Sequence, residues 1–169
     1  SLYTKLLAEA VEARKAEASG RPRPQLELPA PSVDLPLDAY LPESYIPDVE
    51  TRLEIYRRLA ATDGTYKLDD LLVELADRFG PTPYEVENLF YAVKLRRLGA
   101  GAGIESIGVE EGQIVIRRFD GLPFERTKFL SILREGITVG RTQIRLDYHK
   151  MGKEWRTALE AVIRGLLIR

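Results

Sequence analysis

The sequence contains no cysteine, one histidine, one methionine and one tryptophan. Without cysteine there is no disulfide framework, no thiolate nucleophile and no cysteine zinc site. The single histidine, His149, excludes two-histidine metal sites and leaves any Ser-His-Asp arrangement dependent on that one residue. Long apolar runs are missing too: none approaches the roughly 18 residues needed to cross a bilayer, and no signal peptide precedes the first helical pattern. These absences predict a soluble, cytoplasmic protein with no membrane partner.

What is present is ordinary globular material. The 169 residues are 44% hydrophobic and 30% charged, enough for one domain, or one domain with an appendage, that removes roughly 68–70% of its unfolded surface from water. The net charge of −1 conceals an asymmetry: residues 1–92 carry 10 Lys+Arg against 17 Asp+Glu, and residues 93–169 carry 15 against 9. A DNA-binding sheath would be basic along one whole face, so the charge balance disfavours generic nucleic-acid binding.

Residues 2–18 have the helical period, with Leu2, Tyr3, Leu6, Leu7, Ala10 and Val11 on one face and Gly20 as the stop. The chain opens inside this pattern without a methionine, which reads as a piece of a longer polypeptide. Seven of the ten prolines fall within residues 21–47. Proline removes a backbone donor and extends its predecessor, so neither helix nor central strand survives there. The front, through about Ser32, reads as a stiff linker. The rear keeps Val33, Leu35, Leu37, Tyr40, Leu41, Tyr45 and Ile46, too apolar for a solvated spacer, and reads as an extended arm or edge strand lying on the domain that follows.

Three helices are expected next. The first runs from an Asp48 cap to about Ala61 with Val49, Leu53, Tyr56 and Leu59 inward. The second spans Leu68–Phe79, with Leu68, Leu71, Leu72, Leu75 and Phe79 inward and Gly80-Pro81 as its stop. The third starts at Thr82-Pro83-Tyr84-Glu85, a capping-box pattern, buries Val86, Leu89, Phe90 and Val93, and fades near Leu98. Ile104–Ile107 and Gln113–Arg118 are expected to pair around Glu110-Glu111-Gly112. Phe124–Arg134 reads as helix, Thr138–Tyr148 as one strand, and a final helix carries Trp155, Leu159, Val162, Ile163, Leu166 and Leu167 on one face. The class is α+β: an N-terminal helix and Pro-rich arm, a three-helix segment, then a small antiparallel or mixed sheet with covering helices. Residues 1–20, 21–47 and 48–169 are the expected divisions.

Catalytic patterns are weak. Gly99-Ala100-Gly101-Ala102-Gly103 leads from a helix into a strand, whereas a phosphate loop must open onto a helix N-terminus whose N–H groups hold the anion. Gly152-Lys153 lacks the remaining residues of a nucleotide loop, and Asp69-Asp70 and Glu110-Glu111 sit where carboxylates are favoured for dipole and solvation reasons. One pattern asks for more. Asp70, Glu74 and Asp77 recur at i, i+4 and i+7 opposite the leucine face, where like charges cost about 0.2–0.5 kcal/mol per pair. Asp77 also lies at the negative end of the helix dipole, and Arg78 on an adjoining face offers partial relief. The row is either a solubilising surface or a docking face for a cationic partner.

The arm Val33-Asp34-Leu35-Pro36-Leu37-Asp38-Ala39-Tyr40-Leu41-Pro42-Glu43-Ser44-Tyr45-Ile46-Pro47-Asp48 closely resembles the start of the C-terminal domain of the bacterial transcription-repair coupling factor family, Mfd. So do Arg52-Leu53-Glu54-Ile55-Tyr56-Arg57-Arg58-Leu59 and Glu74-Leu75-Ala76-Asp77-Arg78-Phe79-Gly80-Pro81-Thr82-Pro83. The opening helix is similar to the one by which that family's motor leads into this domain. The resemblance implies a parent that is an ATP- and Mg-dependent DNA translocase acting on stalled RNA polymerase, binding duplex DNA and recruiting UvrA. It implies that this fragment is non-enzymatic and holds no cofactor. Its role would be to dock on the parent's UvrB-like N-terminal module, mask the UvrA-binding surface and restrain the motor. Glu74 and Asp77 match the family's acidic contacts; Asp70 and Arg78 complete the expected docking set. Two rivals remain: a nucleic-acid contact through Arg96, Arg97, Arg117, Arg118 and Arg141, and a small hydrolase or phosphotransferase working through His149.

Overall fold

In the computed structural model, which describes residues 30–61 and 67–167, the proline-rich arm is the first described segment, and it is held largely by side chains. The expected helix at 2–18 and linker residues 21–29 lie outside the described residues, while Ser32, expected at the end of the linker, already pairs in the sheet. Strand β1 (Ser32–Val33) runs parallel to β2 (Ile104–Glu110), with Val33 opposite Ile107, and the Asp34 amide donates to the Ile107 carbonyl at 2.7 Å. The prolines that follow end the ladder, because they cannot donate.

Beyond β1 the arm crosses a three-helix layer, α1 (Val49–Ala60), α2 (Leu68–Phe79) and α3 (Tyr84–Ala100). Leu41 and Ile46 are buried with Ile55, Leu59, Leu71, Leu75, Val86 and Phe90 in one apolar cluster. The Tyr45 hydroxyl lies 2.8 Å from the Gly80 carbonyl and 3.0 Å from that of Leu75, so its one proton is shared between two carbonyls in and just past the last turns of α2. Its ring meets Phe79 edge to face, with centroids 5.9 Å apart. From α1, Arg52 donates to the Ile46 and Pro47 carbonyls at 2.7 and 3.0 Å, and the Tyr56 hydroxyl accepts from the Leu41 amide at 2.8 Å.

The second layer is a five-stranded mixed sheet in the order β1-β2-β3-β5-β4, with β3 at Gln113–Arg118, β4 at Ile137–Val139 and β5 at Ile144–Leu146. Only the β1 pairing is parallel. Glu111-Gly112 turns the β2–β3 hairpin with both residues at positive φ, the geometry that suits the strands' own twist. A bulge between Ile104 and Ser106 puts Ile104 and Ile107, three residues apart, on the same face. That face, with Ile114, Ile116, Ile144 and Leu146, is covered by α5 (Trp155–Leu167) through Leu159, Val162 and Ile163 and by Phe129. Among the described residues the architecture is α+β, as expected.

Several local expectations are corrected. On α1 the buried residues are Ile55 and Leu59, whereas Val49, Leu53 and Tyr56 are exposed. Both sets share the helical period, and the Arg52 bonds to the arm fix which one faces inward. Helix α3 starts one residue later than a Thr82 cap allows: Pro83 is the cap, its carbonyl accepts from Val86 and Glu87, and no side-chain cap bond forms. Within Phe124–Arg134, read as helix, residues Arg126–Ile132 are helical in the tighter 3-10 form. The single strand expected at Thr138–Tyr148 is a hairpin, β4 and β5, closed by the Gly140 amide donating to Gln143 at 2.8 Å, followed by a short helix α4 (Tyr148–Met151) capped by Asp147. Gly136 (φ +94°) precedes it, where a Cβ would stand 2.8 Å from Met151 Cγ, so only glycine fits.

Replacing Tyr45 by Phe keeps the ring but removes the hydroxyl shared by the Gly80 and Leu75 carbonyls, a loss of about 1–2 kcal/mol. Urea denaturation monitored by circular dichroism should show a lower midpoint at unchanged slope. An unchanged midpoint would mean that the arm is not held there.

Candidate functional site

Helix α2 forms because leucines at 68, 71, 72 and 75 line its inner side, and it ends where Gly80 takes φ +90°. Its outer side carries the acidic residues. Asp70 and Asp77 are exposed and make no ion pair or hydrogen bond among the described residues, and Val73 between them is 68% exposed. The first-turn position of Asp70 suits the helix dipole and the last-turn position of Asp77 opposes it.

Glu74 is different. Sequence spacing showed only its neighbours on the same helix, so the row was expected to have no more than partial relief, from Arg78. In the folded chain Arg58 of α1 forks onto Glu74, Nη1 to Oε2 at 2.7 Å and Nη2 to Oε1 at 3.5 Å, and Arg78 stands 3.8 Å away on the next turn. The Arg58 hydrogen bond, with the charges of Arg58 and Arg78 behind it, holds the Glu74 carboxyl below its ordinary 4.5 against an opposing desolvation. Glu74 therefore ties α1 to α2. Arg78 is half-committed as well, its guanidinium 4.9 Å from the centre of the Phe79 ring.

Asn88 is another residue that sequence reasoning passed over. Buried on α3, it donates to the Asp38 carbonyl of the arm at 3.1 Å and accepts from Arg156 of α5 at 3.4 Å. Arg156 in turn lies over the rings of Tyr91 and Trp155, at 5.1 and 5.4 Å. Burial, reinforced by the nearby Glu160 charge, pushes the Tyr91 phenol up to about 12. The one available signal was that Asn88 is the sole asparagine of the chain.

The other candidates are scattered. His149 is exposed on α4, its ring stacked at 4.5 Å on Tyr148, and its amide donates to Asp147. Arg117 pairs with Glu110 at 2.9 Å on the outer sheet face, Arg118 donates to the Pro123 carbonyl, and Arg97 reaches the Ala61 carbonyl at 3.4 Å. Arg96 lines a groove of about 480 Å³ between β1 and α3, and Arg141 lies in the β4–β5 turn. These arginines are spread over three elements, α3, β3 and the β4–β5 turn, and Arg117, Arg118 and Arg97 are each engaged within the domain. No group of three or more His, Asp or Glu side chains among the described residues is placed to hold a metal ion, and no described helix is long and apolar enough to cross a membrane.

Comparison with known proteins places this geometry. A sequence profile of the TRCF domain family matches residues 35–129. The transcription-repair-coupling factor of Staphylococcus aureus (strain USA300) is 38% identical over 114 residues, covering 68% of this chain and 9% of that protein. Its counterpart in Escherichia coli (strain K12) is 39% identical over 119 residues, again 68% of this chain and 10% of the other. A crystal structure of the C-terminal domain of transcription-repair coupling factor superposes with a TM-score of 0.67 at 24% identity, covering 83% of this chain and 94% of that one, a likeness of fold. The match thus spans about a tenth of the length of these curated relatives.

Because the Glu74 carboxyl is depressed in the folded state, its pairing contributes stability above the ordinary carboxylate value and loses it as pH falls through the folded one. In Arg58→Gln the Glu74 carboxyl should titrate higher by NMR. The stability gap between this variant and the unaltered chain should shrink as pH drops below about 4.5. Equal titration in both proteins would remove Arg58 as the cause.

Proposed function

This chain belongs to the TRCF domain family, and from that membership we propose that it is the regulatory C-terminal domain of a much longer, cytoplasmic transcription-repair coupling factor, docking through the outer side of α2 on that protein's UvrB-like N-terminal module. The supporting observation is the pair Asp70 and Asp77, exposed and unpaired among the described residues on either side of the projecting Val73. A cationic face supplies what such a pair lacks: it neutralises two unpaired carboxylates, one of which, Asp77, opposes the helix dipole. Glu74 and Arg78 belong to the same side but act differently. Held by Arg58, Glu74 fixes the angle at which α2 presents its free carboxylates, and Arg78 keeps the last turn from becoming uniformly acidic.

In this reading the domain performs no chemistry. The ATP- and Mg-dependent DNA translocase, and the surfaces for RNA polymerase, duplex DNA and UvrA, reside elsewhere in the parent. Docking masks the UvrA-binding surface and restrains the motor, and engagement of polymerase releases it. Such a switch requires a contact of moderate strength, because a partner that never dissociates cannot shift between two populations. A charge-steered patch around one valine suits that need better than a broad apolar interface.

The test uses Asp70→Arg with Asp77→Arg, leaving Glu74 intact because it ties the helices together. Reversal at Asp70 disfavours the helix start while reversal at Asp77 favours its end, so stability should stay within about 0.5 kcal/mol. Affinity for the isolated UvrB-like module at low salt should fall by at least about tenfold, some 1.4 kcal/mol. In the whole parent the same change should raise both UvrA binding and ATP hydrolysis in the absence of polymerase. Unchanged affinity removes the charge contact; unchanged UvrA binding and hydrolysis remove the brake.

A further inference from the structure

The rotation of α1 that buries Ile55 and Leu59 leaves three large apolar side chains in water. Val49 is 54% exposed, Leu53 42% and Tyr56 37%, at i, i+4 and i+7, and therefore on one side of the helix. Tyr40 of the arm, 48% exposed, adjoins them, because the Tyr56 hydroxyl accepts from the amide of the next residue, Leu41. Single exposed leucines are normal on protein surfaces, whereas a row of three extended by a tyrosine from another segment is a patch. It points away from α2: Arg58, which reaches Glu74, lies half a revolution round α1 from Val49.

The rim has one dominant sign. Asp38, Glu43 and Glu50 are exposed near it, with Asp48 capping α1 beside them, against the single exposed cation Arg57. Arg52, the other cation on this stretch of α1, is engaged by the carbonyls of Ile46 and Pro47. The same carboxylates repel nucleic acid and anionic lipid. They also repel a second copy of this chain presenting the same face, since a two-fold contact would set the rims against each other.

We propose that this side of α1, with Tyr40, is a second docking surface that takes a basic amphipathic helix from outside this chain. Apolar side chains of that helix, spaced three and four apart, seat on Val49, Leu53, Tyr56 and Tyr40, while lysines or arginines beside them meet Asp38, Glu43 and Glu50. The site is separate from the Asp70–Asp77 face and stands whether or not that face docks as proposed.

The probe is a leucine–lysine peptide of about fourteen residues, roughly four helical turns. Its control has the same lysines but glutamine in place of each leucine. Each is titrated into the isotope-labelled chain at about 150 mM salt, where exposed charges more than ~8 Å apart are screened. The leucine peptide should shift amide resonances within residues 40–60, and the glutamine peptide should bind at least about tenfold more weakly. Leu53→Lys, and separately Glu43→Lys with Glu50→Lys, should each weaken the leucine peptide about tenfold or more, while Asp70→Arg with Asp77→Arg should leave it unchanged. Equal binding of both peptides, shifts centred on α2, indifference to Leu53→Lys, or no binding would each overturn the proposal.

Discussion

The prolines of the described arm, Pro31, Pro36, Pro42 and Pro47, set the constraint under which the rest of this fold is built. Such a segment cannot satisfy itself by a ladder or a helix, so it must be stitched down by groups from elsewhere. The stitching is specific. Tyr45 closes the end of α2, Arg52 takes the Ile46 and Pro47 carbonyls, Tyr56 receives the Leu41 amide, and Asn88 takes the Asp38 carbonyl. Each bond also orients the element that supplies it. The rotation of α1, and hence both the position of Arg58 beside Glu74 and the outward display of Leu53, follows from where the arm lies.

Two apolar clusters share the molecule, and few elements belong to both. Leu35 of the arm enters the sheet-side cluster while Leu41 and Ile46 enter the helical one. On α3, Val86 and Phe90 face the helices whereas Leu95 faces the sheet. Asn88 and Arg156 join these elements to α5 through hydrogen bonds and ring contacts at the seam. The outer side of α2 is thus carried on a layer whose angle to the sheet is set by one helix and one extended strap.

Much of this was legible in residue order. The bounds of α2, the end of α3 near Leu98, the β2–β3 turn and the apolar face of α5 all follow from local period and stop signals, because each is decided within a few residues. What escaped were choices made across the fold. Two apolar stripes on α1 competed equally until the arm selected one. Thr82 has the right chemistry for a cap, yet the helix begins after Pro83. The stretch from Thr138 to Tyr148 alternates well enough for a strand, but Gly140 bends it into a hairpin. At the acidic face, period placed Asp70, Glu74 and Asp77 together; only the packing of α1 on α2, sixteen residues apart in sequence at Arg58 and Glu74, separates the tied carboxylate from the two outer ones.

Strand β1 has a mechanical consequence. It is two residues long, pairs parallel to β2 at the rim of the sheet, and lies at the N-terminal side of the described arm. Tension arriving from that side loads Val33 and Leu35 before it reaches Leu41, Tyr45 and Ile46, so detachment would travel from the sheet toward the helices. The strap is then a graded coupling: a light pull frees the rim, and only a stronger one disturbs the orientation of α1 and α2.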